Sequence, residues 1–241
     1  MNWIIPIAGK GKRLKSLGAF KPFIKIKNRT IIEWFLIYLK KKIKSGDKFY
    51  FVTTYEHEIK NKVELNIKKI LKKINLRNNT NIYILDKTPK GPAITVYNIL
   101  DKLKGIDPCV IINPDQVIDY NLPKKINKGK VYLPIHYNSH GKSSYVNINK
   151  KGKINGISEK KLISFYASSG VYIFGSIHLL KNCYRKIKFD KFKKEVNLSD
   201  VIDNHLKRSK QLAEPLTTLY KYDLGNITGI NYFKSLIESK N

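Results

Sequence analysis

Apolar residues follow two rhythms along the first half of the chain. Short apolar runs, "NWIIPI" at 2–7, "KFYFVTT" at 48–54, "NIYIL" at 81–85 and "PCVIIN" at 108–113, read as buried strands. Between them lie segments of helical period: "TIIEWFLIYLKKK" at 30–42, "EIKNKVELNIKKILKKI" at 58–74 and "PAITVYNILDKLK" at 92–104. Thr30 is placed to cap the first helix, with Glu33 three residues on completing a capping box. Strands alternating with helices predict βα units, an α/β fold and a largely parallel sheet.

From about Lys130 the texture changes. "KVYLPIHY", "SSYVNIN" and "SGVYIF" are short runs separated by turn signals such as "NKKGK", which predicts antiparallel or mixed strands added to the same sheet. Helical patterns return at "SIHLLKNCY" and "LSDVIDNHLKRS", followed by a strand "LTTLYKY" and a closing helix "GINYFKSLIES". No repeat, low-complexity tract or Pro/Ser-rich linker interrupts the pattern, so residues 1–241 read as one domain.

Composition changes this picture little. The longest apolar runs are too short to cross a bilayer, and nothing resembles a signal peptide, which points to a cytoplasmic protein without a membrane partner. Cys109 and Cys183 share no metal-ligand spacing, and Cys109, inside "CVII", is expected to be buried. The 47 Lys and Arg against 18 Asp and Glu give a net charge of +29. That excess permits a nucleic acid or a smaller anion as partner. The lysines, however, are spread along the whole chain with many Ile and Asn, as AT-rich codon usage produces, and no RNP-like, helix-turn-helix or zinc motif accompanies them. A specific nucleic-acid partner is therefore not expected. The five histidines share no ligand spacing; "TYEHEIK" around His57 reads as a helix start.

Candidate chemistry begins where the first strand ends. "AGKGKRL" places Ala8, Gly9, Lys10, Gly11, Lys12 and Arg13 in a glycine loop whose backbone N–H groups can turn inward on phosphates. Leu14 stands where a dinucleotide fingerprint needs its third glycine, and no "GK[ST]" of a Walker loop occurs here. Arg13 and Lys21 can converge on one anion, the guanidinium as a bidentate donor and the ammonium as a point charge, which suits a triphosphate. Farther on, "INPDQVID" puts Asn113 and Asp115 at the carboxyl edge of the sheet, where open α/β sheets bind ligands. A carboxylate beside phosphates serves best as a Mg2+ ligand.

The stretch "IIPIAGKGKRL" followed by "FKPFIKI" resembles the opening signature of the sugar-phosphate nucleotidyltransferase family, with Phe20 standing in place of the family's first proline. Later segments resemble the family in the same order. The resemblance implies a Rossmann-like fold with a mixed, mostly parallel central sheet flanked by helices, in a short form without a C-terminal β-helix domain. It implies that Asp115 and Asp223, the latter in "YKYDLGN", hold Mg2+, and that Gly91 and Pro92 of "KGPAITV" line the nucleobase pocket. Glu159 and Lys160 of "ISEKKL" would contact the acceptor and its phosphate, while Ser169 and Gly170 of "ASSGVYIF" would line the acceptor pocket. Arg13 and Lys21 would be the catalytic cations. The implied reaction is transfer of a nucleotidyl group from a nucleoside triphosphate to a phosphorylated sugar or other small phosphate, with pyrophosphate leaving. CTP is slightly favoured because the "DQ" segment and the chain's size look like the short branch. Surface-polysaccharide precursors and cytidylylated phosphates or phosphonates are the expected products. Homo-oligomerisation is left open.

Overall fold

The computed structural model describes residues 1–18, 20–185, 187 and 195–239. In chain order the elements open with β1 (Asn2–Pro6), a 3-10 turn at Lys12–Leu17, the short pair β2 (Lys25–Ile26) and β3 (Arg29–Thr30), then α1 (Ile31–Leu39), β4 (Lys48–Thr54), α2 (Tyr55–Asn61), α3 (Val63–Lys73) and β5 (Asn79–Leu85). Next come α4 (Pro92–Tyr97), β6 (Cys109–Ile112), β7 (Gln116–Tyr120), β8 (Val131–Tyr137), β9 (Ser144–Ile148), β10 (Ile154–Glu159), β11 (Tyr166–Ser168) and β12 (Val171–Phe174). The chain closes with α5 (Ile177–Tyr184), α6 (Leu198–Ser209), β13 (Glu214–Asp223) and α7 (Ile227–Glu238). No helix among the described residues is long and apolar enough to cross a membrane.

The sheet is mixed, with mostly parallel central strands, and its residues fall into two compact units. One unit gathers Met1–Ile4, Pro89–Ile112 and Tyr120–Thr218. Here the strand order runs β10-β9-β11-β8-β12-β6-β1. β1 pairs β6 in parallel, Asn2 opposite Cys109, while β12 returns antiparallel to β6. The apolar runs that predicted these strands are the core of the unit: Cys109, Val110, Ile111 and Ile112 are buried, as are Tyr145 and Phe174. Both cysteines are free and buried.

The other unit holds Ile5–Thr88, Asn113–Asp119 and the chain from Leu219 onward. Its parallel pair β4 and β5 keeps one register from Lys48↔Asn79 to Thr54↔Leu85. A cluster of Leu14, Ile24, Ile31, Val117, Leu224 and Phe233 anchors the glycine loop, α1 and α7 to one another. Trp34 and Phe233 meet edge to face within it.

Three expectations need correction. The helix expected over 58–74 is two helices, because Lys62 adopts a left-handed backbone (φ 47°, ψ 52°). Side chains make that break affordable: Glu58 accepts from the Glu64 N–H and Asn66 donates to the Asn61 carbonyl. The helix expected over 92–104 ends at Tyr97, and a separate 3-10 turn covers Leu100–Lys102. Thr30 caps α1 by accepting from the Glu33 N–H, but the Glu33 carboxylate turns to Arg29 and Lys73 (both 2.8 Å), where the capping box expected it to reach back to the cap.

Candidate active site

The glycine loop follows β1 directly. Ile7 still bonds to β4 through its N–H to the Val52 carbonyl, and Ala8 is buried, so the loop starts from a fixed base. Gly11 takes a positive φ of 58°, and a Cβ there would lie 3.0 Å from the Cβ of Lys21. Only glycine admits both the turn and that approach. Gly9, Gly11, Lys21, Asn113 and Asp115 line one cavity of about 170 Å³ with Ile7 and Ile31 among its apolar walls. Lys10 and Arg13 are exposed and do not line this cavity, Lys12 lies in the 3-10 turn, and Arg13 acts on Asp115 only through its charge.

Three charged groups converge at this cavity. Lys21 Nζ donates to Asp115 Oδ2 at 2.5 Å. The position a Cβ on Gly225 would take lies 2.7 Å from Asp115 Oδ2, 2.8 Å from Asp223 Oδ1 and 3.4 Å from Lys21 Nζ. Lys21, Asp115 and Asp223, separated in turn by 94 and 108 positions along the chain, thus close in on Gly225, whose missing side chain lets the two carboxylates approach its backbone. β13 and its sequel supply Asp223, whose Oδ1 accepts from the Gly225 N–H and whose Oδ2 accepts from the Asn226 side chain. Asn226 in turn caps α7 by accepting from the Gly229 N–H.

Electrostatics keep the site charged. Burial pushes the Asp115 carboxyl up, but the bonded Lys21 ammonium, helped by Arg13 and Lys221, outweighs this and holds it below the usual carboxylate range. Lys221 went unnoticed in the sequence. Burial pulls its pKa down while Asp223 and Asp115 resist. Strand alternation was the available signal, since Lys221 stands two residues before Asp223 on β13 and shares its face, with Tyr220 and Tyr222 turned into the apolar cluster. Two carboxylates meeting at one point, with phosphate oxygens and water to complete an octahedron, fit what Mg2+ takes. Among the described residues no group of three or more His, Cys, Asp or Glu gathers into an all-protein cage.

The remaining predicted residues lie in the other unit. Gly91 has φ 113°, and a Cβ on it would come within 2.4 Å of the Val196 carbonyl oxygen, so close backbone packing accounts for the glycine; Pro92 opens α4. Glu159 accepts from the hydroxyls of Ser144 and Ser199, the latter at 2.8 Å. Lys160, at φ 53°, sits 3.8 Å from both Glu159 and Glu195. These residues line a second cavity, of about 410 Å³, with Asn197, Asp200 and Asp203. Ser169 is buried and bonded to His136 Nδ1 at 2.9 Å and Thr218 Oγ1 at 2.7 Å, and Gly170 follows at φ 75°. That Ser–His–Thr grouping was also invisible in the sequence, since His136 stands on β8, Thr218 on β13 and Ser169 in the turn between β11 and β12.

A family model described as "Nucleotidyl transferase" matches residues 3–239. The chain belongs to the nucleotidyl transferase family. It is a nucleotidyltransferase with the fold of that family's solved structures. It is similar to a nucleoside-diphosphate-sugar pyrophosphorylase from Vibrio cholerae RC9, with 17% identity, a TM-score of 0.82, and 97% of this chain and 99% of that chain covered. A UDP-glucose pyrophosphorylase complexed with UDP-glucose is 16% identical with a TM-score of 0.76, over 100% of this chain and 99% of that one. The inositol-1-phosphate CTP transferase from T. maritima gives 16% and 0.76, over 98% and 94%. No curated protein sequence matches the chain.

Proposed function

We propose that this nucleotidyltransferase uses Mg2+ to transfer a nucleoside monophosphate from a nucleoside triphosphate to a phosphorylated sugar or other small phosphate, releasing pyrophosphate. The observation that carries the reading is the convergence of Asp115, Asp223 and Lys21 within 3.4 Å of one point beside the glycine-loop cavity. A triphosphate is an anion that backbone amides of residues 8–13 can cradle, and Arg13 and Lys21 supply the charge to hold it. The acceptor's phosphate is already ionised, so the protein needs no strong base. Its task is to bring two repelling anions together and neutralise charge as it builds.

In this account an acceptor phosphate oxygen attacks the α-phosphorus and the bond to the β-phosphate oxygen breaks. Lys21 bridges the α-phosphate and the acceptor phosphate, and Arg13 stabilises the departing pyrophosphate. Asp115 and Asp223 would hold Mg2+, which supplies Lewis-acid neutralisation of phosphate oxygens. Asn113, Gly91 and Pro92 are assigned to the nucleotide, and Glu159, Lys160, Ser169 and Gly170 to the acceptor. Residues 1–241 act in this reading as one domain, a view supported by the single family match over 3–239.

CTP is the favoured donor, because the "NPDQ" segment around Asp115 looks like that of the short branch. Activated precursors of surface polysaccharides, made in the cytoplasm, are the products we assign. A second reading keeps CTP and replaces the sugar phosphate with phosphocholine or an aminoalkyl phosphonate. It is favoured by the acid-lined cavity at Glu159, Glu195 and Asp203, which suits an acceptor carrying a cationic amine. Pyrophosphate release from CTP, UTP or dTTP, measured with glucose 1-phosphate, phosphocholine and 2-aminoethylphosphonate in turn, separates the two. Release with the sugar phosphate supports the first, release only with the amines supports the second, and release with none of a wide phosphate panel contradicts both.

A further inference from the structure

His57, read from the sequence as part of a helix start, does not line the glycine-loop cavity but packs against a residue that adjoins its lining. Its ring packs on Phe20 with centroids 4.4 Å apart, and Phe20 stands edge to face on Phe23 at 5.3 Å. Phe20 immediately precedes Lys21, so whatever fixes Phe20 fixes the start of the Lys21-Pro22 segment that lines the cavity. The same imidazole also feels the backbone of Ile7, which favours its protonated form; Ile7 carries the chain from β1 into the glycine loop and itself lines the cavity. Ile7 and Phe20 are 13 positions apart, and residues 8–13, which the reading above assigns to the phosphates, lie between them.

A helix start does not need this residue. The cap of α2 is formed by Thr54 accepting from the backbone N–H of His57, which any side chain at 57 would leave intact. The imidazole also carries a cost, since its Nδ1 is buried and has no hydrogen-bond partner among the described residues. An alanine or asparagine at 57 would keep the cap and avoid that cost. What the imidazole provides is a flat ring for Phe20 together with a polar edge beside the Ile7 backbone. The charges around it are Glu56 and Lys60 on its own helix, with Lys10 of the loop facing Glu56.

We infer that His57 is a positioning residue of the nucleotide site, bracing the base of the glycine loop and the residue before Lys21 as one unit. It touches no reacting atom and acts through the geometry of Ile7 and Lys21. The inference rests on the assignment of this cavity to a triphosphate. Its physical content is that loop and lysine are preorganised together, so that binding does not have to order them separately.

The test compares wild type with His57→Ala, which loses ring and polar edge, His57→Phe, which keeps the ring, and His57→Gln, which keeps a polar group. Mg2+ with CTP, UTP or dTTP is titrated into each by calorimetry, and amide hydrogen exchange is followed in the nucleotide-free protein. His57→Ala is expected to weaken the triphosphate that wild type binds by roughly 10-fold or more, and to speed exchange at residues 7–13 and 20–23 ahead of other segments. His57→Phe and His57→Gln should each recover part of the loss. Wild-type affinity in His57→Ala, or faster exchange spread evenly over the chain, overturns the inference, because a structural role alone gives that pattern. Should His57→Ala fail to fold, His57→Phe and His57→Gln carry the same comparison. Wild type binding none of the triphosphates overturns the assignment of the cavity and this inference with it, whereas binding unchanged in every variant overturns the inference alone.

Discussion

Two cavities among the described residues both bring carboxylates and a lysine together and do different things with them. At the glycine loop, Asp115, Asp223 and Lys21 close in on Gly225, which contributes no side chain, and Asp115 and Lys21 also line the cavity. At the second cavity the carboxylates are already engaged: Glu159 by Ser144 and Ser199, Asp200 by the Asn197 N–H at the start of α6, and Asp203 by the Ile157 N–H and Lys207. Carboxylates bound to serine hydroxyls and backbone amides hold a wall in place. At the glycine loop the Asp115 carboxylate bonds to the Lys21 ammonium, a partner it can exchange for a ligand, while Asp223 is held by the Gly225 N–H and the Asn226 side chain. The contrast between the cavities therefore lies in the exchangeable Asp115–Lys21 pair rather than in residue type.

The largest effect should come from the open cavity. Lys21→Ala and Asp223→Ala are each expected to lower turnover at least 100-fold, about 2.7 kcal/mol of barrier, with the fold retained. Near wild-type rates in either would remove the contrast between the two cavities. The walled cavity should respond in a different quantity. Glu159→Ala leaves the buried Ser199 hydroxyl and the half-buried Ser144 hydroxyl without this acceptor and should cost about 1–3 kcal/mol of stability in denaturant melts, raising the acceptor KM while triphosphate affinity stays at the wild-type level. A loss of triphosphate affinity instead would mean that the second cavity serves the nucleotide.

A smaller change sharpens the role of the open space. Gly225→Ala places a methyl group 2.7 Å from Asp115 Oδ2 and 2.8 Å from Asp223 Oδ1, where the carboxylates must move apart. Affinity for Mg2+ with the triphosphate should fall roughly 10-fold, about 1.4 kcal/mol, with little change in melting temperature. Unchanged affinity would show that the ion does not use this space.

The smallest effect concerns pH. Burial lowers the pKa of both His57 and His205, so the unfolded chain, with histidine near its ordinary value of about 6.5, binds more protons than the folded one below that pH. The stability that neutral imidazoles contribute is complete above about pH 6.5 and is lost as pH falls from there toward the lower folded values. Around His57 the charged groups are Glu56, which opposes this shift, and Lys60, which adds to it. His57→Phe should flatten the fall in stability between neutral and mildly acidic pH without abolishing it, since His205 remains. An unchanged slope would mean that His57 titrates alike in both states.

Much of the fold was legible because it is local. Apolar runs in β1, β4, β6 and β12 and the helical period of α1 and α6 each lie within a dozen residues, and the structure keeps them. The glycine loop, Asp115 and Asp223 were legible as short motifs. What escaped the sequence depends on distant approach: the backbone of Val196 against Gly91, the serines that hold Glu159, and Lys221 facing two carboxylates across strands. The break at Lys62 escaped for another reason, since a lysine gives no sign of a left-handed backbone until the side chains of Glu58 and Asn66 are seen to satisfy it.

The most direct test is the thermal midpoint of wild type and Asp115→Ala with Mg2+ and each of CTP, dTTP, UTP, GTP and ATP. A ligand at 100 times its dissociation constant adds about 2.7 kcal/mol to the folded state. The account predicts a clear upward shift with one triphosphate, CTP first among them, that disappears in Asp115→Ala. No shift with any triphosphate, or a shift that survives loss of the carboxylate, would contradict it.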